Sequence, residues 1–297
     1  MILVTGGTGF IGQALIRQLV AMGKPVRTLL RPSKNTPNLP RSVPIEVAVS
    51  SLNDEKGLRA AMKDVQVVFH LVSSERSGSR ADLKGVDVEG TEALTRVCIQ
   101  TGVDRIFYIS HIGADRASGY PLLKAKALAE YAITQSQVDY TIFRPTVVFG
   151  QQDQFTTSLA RYIRRTKLFT LIPGLGENLI QPLWIDDLIT CLIIALDDDS
   201  TRNKIFTIGG DETFNLRQLI EIFLRTMRLR RRIISVSPPI FRFLSLYFEQ
   251  VSPGLVLPYY WLDYLSVDRT CPLDSLPKEF GIMPARLLQH INYLNIS

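Results

Sequence analysis

A tyrosine and a lysine stand four residues apart near the middle of the sequence. In the segment SHIGADRASGYPLLKAKALAE, Tyr120 is followed by Pro121 and then by Lys124. Proline suits the first turn of a helix, so we expect a helix that begins here and carries both side chains on one face. An ammonium lowers the pKa of a nearby phenol, and such a tyrosine can donate or accept a proton in a reaction. The spacing is common by chance, so its meaning depends on its surroundings.

A glycine-rich loop at the start of the chain is the second such pattern. The stretch ILVTGGTGFIGQALIRQL places Gly6, Gly9 and Gly12 three residues apart, between an apolar run and a helix-like run. In a dinucleotide cradle, Gly6 allows the tight turn, Gly9 lets the backbone approach the pyrophosphate, and Gly12 lets the helix pack closely. The helix N-terminus then faces the negative charge. The alternative is a glycine-rich turn without a ligand.

The residues after the glycine loop indicate which dinucleotide to expect. An NAD site usually has an acidic residue about 20 positions on, which holds the ribose hydroxyls. Between Gln13 and Ile45 the chain has no acidic residue, and VRTLLRPSK places Arg31 and Lys34 after the second predicted strand. A guanidinium suits a 2′-phosphate, so we expect NADP(H). The alternative is NAD(H), with the basic residues merely solvated.

The first half of the chain alternates apolar strands with helical segments, which is typical of a parallel sheet covered on both faces. We therefore expect an α/β fold: a Rossmann-type, doubly wound, mainly parallel sheet with a small C-terminal lobe. Residues 1–150 would form the NAD(P)-binding core and residues 151–297 the lobe, with some elements returning to the core. The predicted strands are Ile2–Thr5, Pro25–Leu30, Ile45–Val49, Val65–Val72, Arg105–Ser110, Tyr140–Arg144 and Ile205–Ile208. The predicted helices are Ile11–Met22, Asp54–Met62, Val86–Thr101, Pro121–Thr134, Phe155–Thr166, Ile185–Leu196 and Leu216–Met227.

Composition suits a large core and an anionic ligand. The 297 residues are 46% hydrophobic and carry a net charge of +6, which favours a nucleotide or a lipid surface. Nucleic acid is disfavoured because the basic residues form no recognised binding motif. The three cysteines are far apart and suggest neither disulfides nor a metal site, as suits a reducing compartment.

No apolar run is long enough to cross a bilayer, and a first strand at residue 2 leaves no place for a signal peptide. We therefore expect a cytoplasmic protein that can lie peripherally on a membrane.

Several segments together resemble the extended and atypical short-chain dehydrogenase/reductase superfamily, which includes epimerase-like and NmrA-like proteins. They are TGGTGFIG, VVFHL, the strand-end Ser110, Tyr120 with Lys124, and FRPTVVFG. A narrower resemblance, to the nucleotide-binding accessory subunit of respiratory complex I and its bacterial relatives, is carried by ISHIGA, Glu130, VFGQQDQF and FGIMPARLLQHINYL. It implies tight NADP(H) binding and a structural rather than catalytic role.

The resemblance also implies which residues hold the dinucleotide. These are Gly6, Thr8, Gly9, Phe10 and Ile11 at the pyrophosphate, Arg31 at the 2′-phosphate, Leu52 near adenine, Leu71 and Val72 beneath the adenosine half, Tyr120 and Lys124 at the nicotinamide ribose, and Pro145, Thr146 and Val148 at the nicotinamide.

The chain departs from the superfamily at the catalytic positions. Catalytic members usually place a serine or threonine two residues past Ser110, where this chain has Ile112, and Asp87 replaces a helix asparagine. His111 could supply the missing acid or serve as a structural hydrogen-bonder. The candidate catalytic residues are therefore Tyr120, Lys124, Ser110 and His111, in an incomplete set.

Two further groups of polar residues have simpler interpretations. We expect His70 to be a core residue and His290 a surface or helix residue. Asp186 and Asp187 could act as paired carboxylates, but capping of the helix that follows is the preferred interpretation.

The segment Arg225–Trp261 joins an arginine cluster to an aromatic, apolar stretch. It would suit a membrane surface or a membrane protein complex, or alternatively a lobe packing its own core. Two functions remain open. One is an NADP(H)-binding accessory or assembly protein. The other is an NADP(H)-dependent oxidoreductase or epimerase-like enzyme, acting on a quinone-like or sugar-like substrate with Tyr120 as acid/base.

Overall fold

The computed structural model describes residues 1–34, 36–40, 43–251 and 267–295. The chain forms two compact units. The first comprises Met1–Pro145 and Leu188–Thr207, and the second comprises Thr146–Asp187 and Ile208–Ser297.

Strands and helices follow one another in this order. The strands are β1 Ile2–Thr5, β2 Val26–Leu30, β3 Glu46–Val49, β4 Val67–His70, β5 Arg105–Ile109, β6 Asp139–Pro145, β7 Val147–Phe149, β8 Phe169–Pro173, β9 Leu179–Ile180, β10 Pro182–Trp184, β11 Lys204–Ile208, β12 Phe214–Asn215 and β13 Arg232–Val236. The helices are α1 Phe10–Ala21, α2 Glu55–Ala61, α3 Gly90–Thr101, α4 Pro121–Thr134, α5 Phe155–Arg165, α6 Ile185–Asp197, α7 Leu216–Thr226, α8 Pro238–Val251, α9 Ser275–Phe280 and α10 Leu287–His290. Short 3-10 or π turns cover Glu75–Arg80, Leu83–Glu89, Asp199–Thr201 and Ile291–Asn295.

A seven-stranded sheet in the order β11-β6-β5-β4-β1-β2-β3 forms the centre of the first unit. β1 pairs in parallel with β2 on one side and β4 on the other, so that Ile2 faces Val26 and Val67. The order reverses between β1 and β4, and ligands of such sheets bind beyond the carboxyl ends of the strands at that point. The doubly wound parallel sheet expected from the sequence is confirmed, and it points to the loops after β1 and β4.

Arg105 ties the last part of the first unit to the sheet. Its side chain is buried in β5 and donates to Thr141 Oγ1 at 3.0 Å and to the carbonyl of Ala195 at 2.9 Å. It also donates to Thr201 Oγ1 at 2.5 Å. Burial lowers the pKa of the guanidinium to about 10, and these three oxygens compensate for the lost water.

The second unit has a core of its own. Leu159, Ile163, Leu219 and Phe223, on α5 and α7, are buried together with Phe241 of α8. Three two-stranded sheets accompany them: parallel β7–β10, antiparallel β9–β12 and parallel β8–β13. The part of the predicted tail that includes Tyr259, Tyr260 and Trp261 lies outside the described residues.

Candidate functional site

The loop after β1 takes the shape that its glycines allow. Gly6 has a φ of +75°, and a Cβ there would lie 2.8 Å from the carbonyl of Leu71, just beyond β4. The amide of Gly9 donates to the carbonyl of Gly6 at 2.9 Å and closes the turn. Only glycine combines this backbone conformation with such a close neighbour.

Two more glycines allow the loop and α1 to pack without a gap. A Cβ on Gly12 would lie 2.3 Å from the carbonyl oxygen of Gly6, and one on Gly7 would lie 2.3 Å from Thr28 Oγ1 of β2. Gly12 therefore brings the helix against the loop itself, whereas Gly7 makes the close contact with the neighbouring strand.

The N-terminus of α1 is open to an anion. Its N-cap residue is Gly9, which has no side chain to cap the helix, and the first turn contains no acidic residue. The first amides of a helix point outwards along its axis and carry partial positive charge. Thr8, Phe10 and Ile11 lie half-buried around this end, and their contact with a pyrophosphate remains a prediction.

The basic residues after β2 have separate roles. Arg27 on the strand is held by Glu46 Oε2 at 2.7 Å and by the carbonyls of Ala61 and Lys63, so it serves the fold. Arg31 and Lys34 directly follow the strand and are exposed. Among the described residues neither forms a salt bridge, and both cations remain available to a phosphate.

The predicted adenosine contacts lie on loops after two other strands. Leu52 follows β3 and packs beside Gly90, where an added Cβ would meet it at 3.0 Å. Leu71 and Val72 follow β4, and the amide of Leu71 donates to the carbonyl of Thr5 at 3.2 Å. The carboxyl ends of β1 and β4 are thus fastened together under the glycine loop.

His70 connects this junction to the buried interior. Its Nδ1 lies 2.8 Å from Thr5 Oγ1, and its Nε2 lies 2.9 Å from Thr91 Oγ1. Because Thr91 Oγ1 donates its proton to the carbonyl of Asp87 at 2.6 Å, it must accept from His70, which assigns the Nε2–H tautomer. Burial, together with the charge of Lys126, lowers the pKa of His70 to about 3. The prediction that His70 is a core residue is confirmed.

Helix α4 begins at Pro121, as predicted, but the lysine on its buried face is Lys126 and not Lys124. Tyr120 is the half-buried N-cap residue, and Lys124 is exposed on the helix. Lys126 is instead buried, one turn before the equally buried Glu130. Glu130 holds Arg144 of β6 at 2.9 Å. Tyr120 and Lys124 as ribose contacts remain a prediction.

Lys126 lies among polar groups at the ends of β4 and β5. Its Nζ lies 3.6 Å from Asp87 Oδ1, 3.5 Å from the carbonyl of Ile109 and 5.2 Å from the ring centroid of Tyr108. Burial alone would lower the pKa of this ammonium, but the oxygens of Tyr108 and Asp87 raise it above its ordinary value. Asp87 also accepts from the amide and the hydroxyl of Ser74.

The loop after β5 carries the other predicted catalytic residues. Ser110 is fully buried, and its Oγ has no hydrogen bond within the described part of the chain. His111 Nε2 lies 2.9 Å from Glu75 Oε2, with both side chains mostly buried. Glu75 could not be foreseen, because its segment shows no helical or strand periodicity.

The predicted nicotinamide contacts fall on both sides of the division between the units. Pro145 ends β6 in the first unit and accepts from the amide of Ile112 at 3.4 Å. Thr146 and Val148 belong to the second unit, where the amide of Thr146 donates to the carbonyl of Ile208 at 2.9 Å.

The other polar residues considered in the sequence also lie in the second unit. His290 ends α10 and stacks on Trp184 at 4.2 Å. Asp186 and Asp187 lie in the first turn of α6, and the Asp187 carboxylate accepts from the amide of Ala285.

Comparison with known proteins agrees with the glycine-loop geometry. A profile of NAD(P)H-binding proteins matches residues 6–166, more than half of the chain. The chain belongs to this NAD(P)H-binding family. Its dinucleotide cradle is therefore that of a nicotinamide nucleotide, with NAD and NADP not distinguished by the match.

This family member is similar to several curated proteins. It is 29% identical to NADH dehydrogenase [ubiquinone] 1 alpha subcomplex subunit 9 of Arabidopsis thaliana, over 80% of this chain and 60% of that protein. It is 25% identical to the NADH-ubiquinone oxidoreductase 40 kDa subunit of Neurospora crassa, over 95% of this chain and 75% of that protein. It is also 31% identical to sterol demethylase protein B of Methylococcus capsulatus, over 70% of this chain and 69% of that protein. The resemblance to the complex I accessory subunit is confirmed, although the chain spans about three fifths of the Arabidopsis and mouse subunits.

Solved structures share the fold. A nucleoside-diphosphate-sugar epimerase from Staphylococcus aureus superposes with a TM-score of 0.77 at 18% identity, covering 99% of both chains. An NADPH-dependent quinone oxidoreductase from Escherichia coli, complexed with NADPH, superposes with a TM-score of 0.75 at 18% identity, covering 97% of this chain and 98% of that one. At these identities the likeness establishes the fold alone.

The residues present fit the nucleotide that defines the family. The loop leaves no room for side chains at Gly6 and Gly12, the α1 amides are uncapped, and Arg31 and Lys34 are exposed after β2. When bound, a nicotinamide nucleotide supplies or accepts a hydride. Within the described ranges, no group of three or more His, Cys, Asp or Glu side chains is placed to hold a metal ion.

Proposed function

We propose that this protein is an NADP(H)-binding accessory or assembly subunit that acts beside a membrane complex. The observation that carries the proposal is the contrast between the two motifs. The glycine cradle is assembled in full, whereas α4 places Tyr120 at its N-cap and turns Lys124 to solvent. A site that holds the nucleotide without an assembled proton donor suits tight retention rather than turnover.

NADP(H) rather than NAD(H) is the nucleotide we propose. Arg31 and Lys34 are exposed directly after β2, where an NAD site has its acidic residue. Since Arg27 is occupied by Glu46, Arg31 is the guanidinium best placed to form paired hydrogen bonds with a 2′-phosphate.

The membrane complex is proposed from the relatives. Two of the similar proteins are named as subunits of a mitochondrial NADH–ubiquinone oxidoreductase. In the described part of this chain, no helix is long and apolar enough to cross a membrane. The association we propose is peripheral.

A second candidate function is an NADP(H)-dependent oxidoreductase or epimerase-like enzyme with a quinone-like or sugar-like substrate. The observation that favours it is the His111–Glu75 contact at 2.9 Å beside the buried Ser110 hydroxyl. A carboxylate that orients an imidazole can help it move a proton. In this function Tyr120 or His111 would act as the acid/base.

One experiment distinguishes the two functions. The purified protein is denatured to identify any retained nucleotide, and nicotinamide absorbance is followed with panels of carbonyl compounds and quinones. We expect NADP(H) to be retained, with no turnover. Turnover that disappears in Tyr120→Phe or His111→Gln, but persists in the exposed-tyrosine control Tyr131→Phe, would overturn the accessory role in favour of the enzyme.

A further inference from the structure

Helix α8 of the second unit presents apolar side chains on two adjacent faces. Phe241, Leu244 and Phe248 pack into the core of the unit. Ile240, Phe243 and Tyr247 are 56%, 68% and 54% exposed. Their i, i+3, i+7 spacing aligns them along one side of the helix. Large apolar side chains exposed in a continuous stripe mark an interaction surface.

The two-stranded ribbon formed by β8 and β13 adds to this surface. β13 pairs in parallel with β8 so that Arg232 is opposite Phe169 and Ile234 is opposite Leu171. Residues opposite one another in a ladder project from the same face of the sheet. Phe169, Arg232 and Ile234 are all exposed on that face. Only Ser237 separates β13 from α8, so the ribbon and the helix are adjacent along the chain.

The chain around this surface is rich in positive charge. Residues 222–251 contain six arginines and one acidic residue, Glu249 on α8, and residues 154–176 contain three arginines, one lysine and no acidic residue. Arg225, Arg228, Arg230 and Arg232 are exposed, and none forms a salt bridge with a described residue. An anion of extended shape would therefore be attracted here.

We infer that the face formed by the outer stripe of α8 and by the β8–β13 ribbon lies on an anionic phospholipid bilayer. The inference rests on the proposed function in that it supplies the membrane contact of the accessory subunit. The stripe enters the boundary between headgroups and acyl chains, where Phe243 and Ile240 lose contact with water. The arginines remain at the level of the lipid phosphates, as in other interfacial helices.

The combination of apolar and basic groups favours lipid over the other anions. Nucleic acid would satisfy the arginines but would leave Ile240 and Phe243 in water. An acidic protein would need a matching apolar groove. A bilayer offers phosphates and hydrocarbon in adjacent layers, so it matches both parts of the face at once.

The test is co-sedimentation of the full-length protein with phosphatidylcholine vesicles that contain or lack phosphatidylglycerol. We expect binding only to the phosphatidylglycerol vesicles, weakened by added salt. The affinity should fall about five-fold for each of Arg230→Gln and Arg232→Gln, and about tenfold or more for Phe243→Ser. The matched controls, Met283→Ser at another exposed apolar residue and Arg17→Gln on α1, should bind like the unchanged protein.

The inference would be overturned by absence of vesicle binding, by equal binding to uncharged vesicles, or by an equal loss of binding in the control variants. It would also be overturned by a dimer in solution that dissociates in Phe243→Ser, because a second copy would then cover the stripe. NADPH affinity and thermal melting are measured for every variant. Failure to bind NADPH would refute the proposed function without changing the vesicle result.

Discussion

The position of Lys126 determines what the inward face of α4 can do. A spacing of four residues puts Tyr120 and Lys124 on one side of a helix, but it does not specify which side faces the protein. In the structure Lys124 is exposed, and Lys126 is buried beside Asp87 and Tyr108. The residue four positions before Lys126 is Leu122, so no tyrosine accompanies the buried lysine on the helix.

Replacing the two lysines should have opposite consequences. Lys126→Met leaves the Asp87 carboxylate buried without its cation, and we expect the free energy of unfolding to fall by about 3–5 kcal/mol. Lys124→Met removes an exposed charge and should change it by less than about 0.5 kcal/mol. Urea unfolding of the two variants measures the difference. Equal losses would show that Lys126 is not the lysine on which the fold depends.

Arg31 is the residue on which we expect the choice of nucleotide to depend. Arg31→Ala should weaken NADPH by tenfold or more, by removing a charge-assisted contact worth about 1.5–3 kcal/mol, and leave NADH nearly unchanged. Fluorescence titration with both nucleotides measures this, with exposed Arg17→Ala as the control. Equal weakening of NADPH and NADH would place the 2′-phosphate elsewhere.

At the scale of elements, the loop, α1 and β4 form one tightly packed junction. Gly6 packs against the carbonyl of Leu71, and Gly12 packs against the carbonyl of Gly6. The geometry of the phosphate-binding end therefore depends on contacts between backbones.

Gly12→Ala tests this junction. The new methyl group would lie 2.3 Å from the Gly6 carbonyl oxygen, so the loop must move. We expect NADPH affinity to fall by about tenfold or more and the melting temperature to fall as well. In Gly119→Ala the added Cβ meets nothing within 4 Å, and both quantities should stay unchanged. An unaltered NADPH affinity in Gly12→Ala would show that nucleotide binding does not depend on the geometry of the loop.

Many elements of regular periodicity could be predicted, whereas several that depend on tertiary partners could not. The alternation of strands and helices predicted β1 at Ile2–Thr5 and α4 at Pro121–Thr134 with the bounds observed, because apolar runs and Pro121 mark them. The sequence did not reveal β7, β9, β10 or β12, which are only two or three residues long and form through their partners, nor did it reveal the longer β8, β13 and α8. The cradle was foreseen from glycine spacing, but Lys126 and Glu75 were not, because burial of a charge depends on tertiary contacts. The sequence did contain one signal that Lys126 faces inward. Lys126 lies three positions after the apolar Leu123 and four before Glu130, so the three share one face of α4.

For the whole molecule, burial of His70 links stability to pH. The native state keeps His70 neutral, with a pKa of about 3, against about 6.5 when unfolded. This contribution is complete above pH 6.5, and as the pH falls from there towards 3 the unfolded state gains a proton that the native state does not. The free energy of unfolding should fall by about 1.4 kcal/mol per pH unit in that window.

The prediction is checked by urea unfolding between about pH 7 and pH 5, where few carboxylates titrate. The unchanged protein should lose about 2 kcal/mol over this range. His70→Asn should lose less with pH, even if it is less stable throughout. An unchanged slope in His70→Asn would assign the effect to other groups.

The first unit is assembled from two separated stretches of chain, and this has a consequence for its synthesis. Residues 188–207 return to supply the edge strand β11 and two of the oxygens that hold Arg105. A nascent chain that has emerged only as far as residue 150 exposes one side of β6 and buries a guanidinium without those partners. The nucleotide-binding unit therefore cannot finish folding on the ribosome before residues 188–207 have been made. A chain truncated after residue 150 lacks β11 and should aggregate. A variant in which a short linker replaces residues 146–187 keeps residues 188–207 and therefore keeps β11.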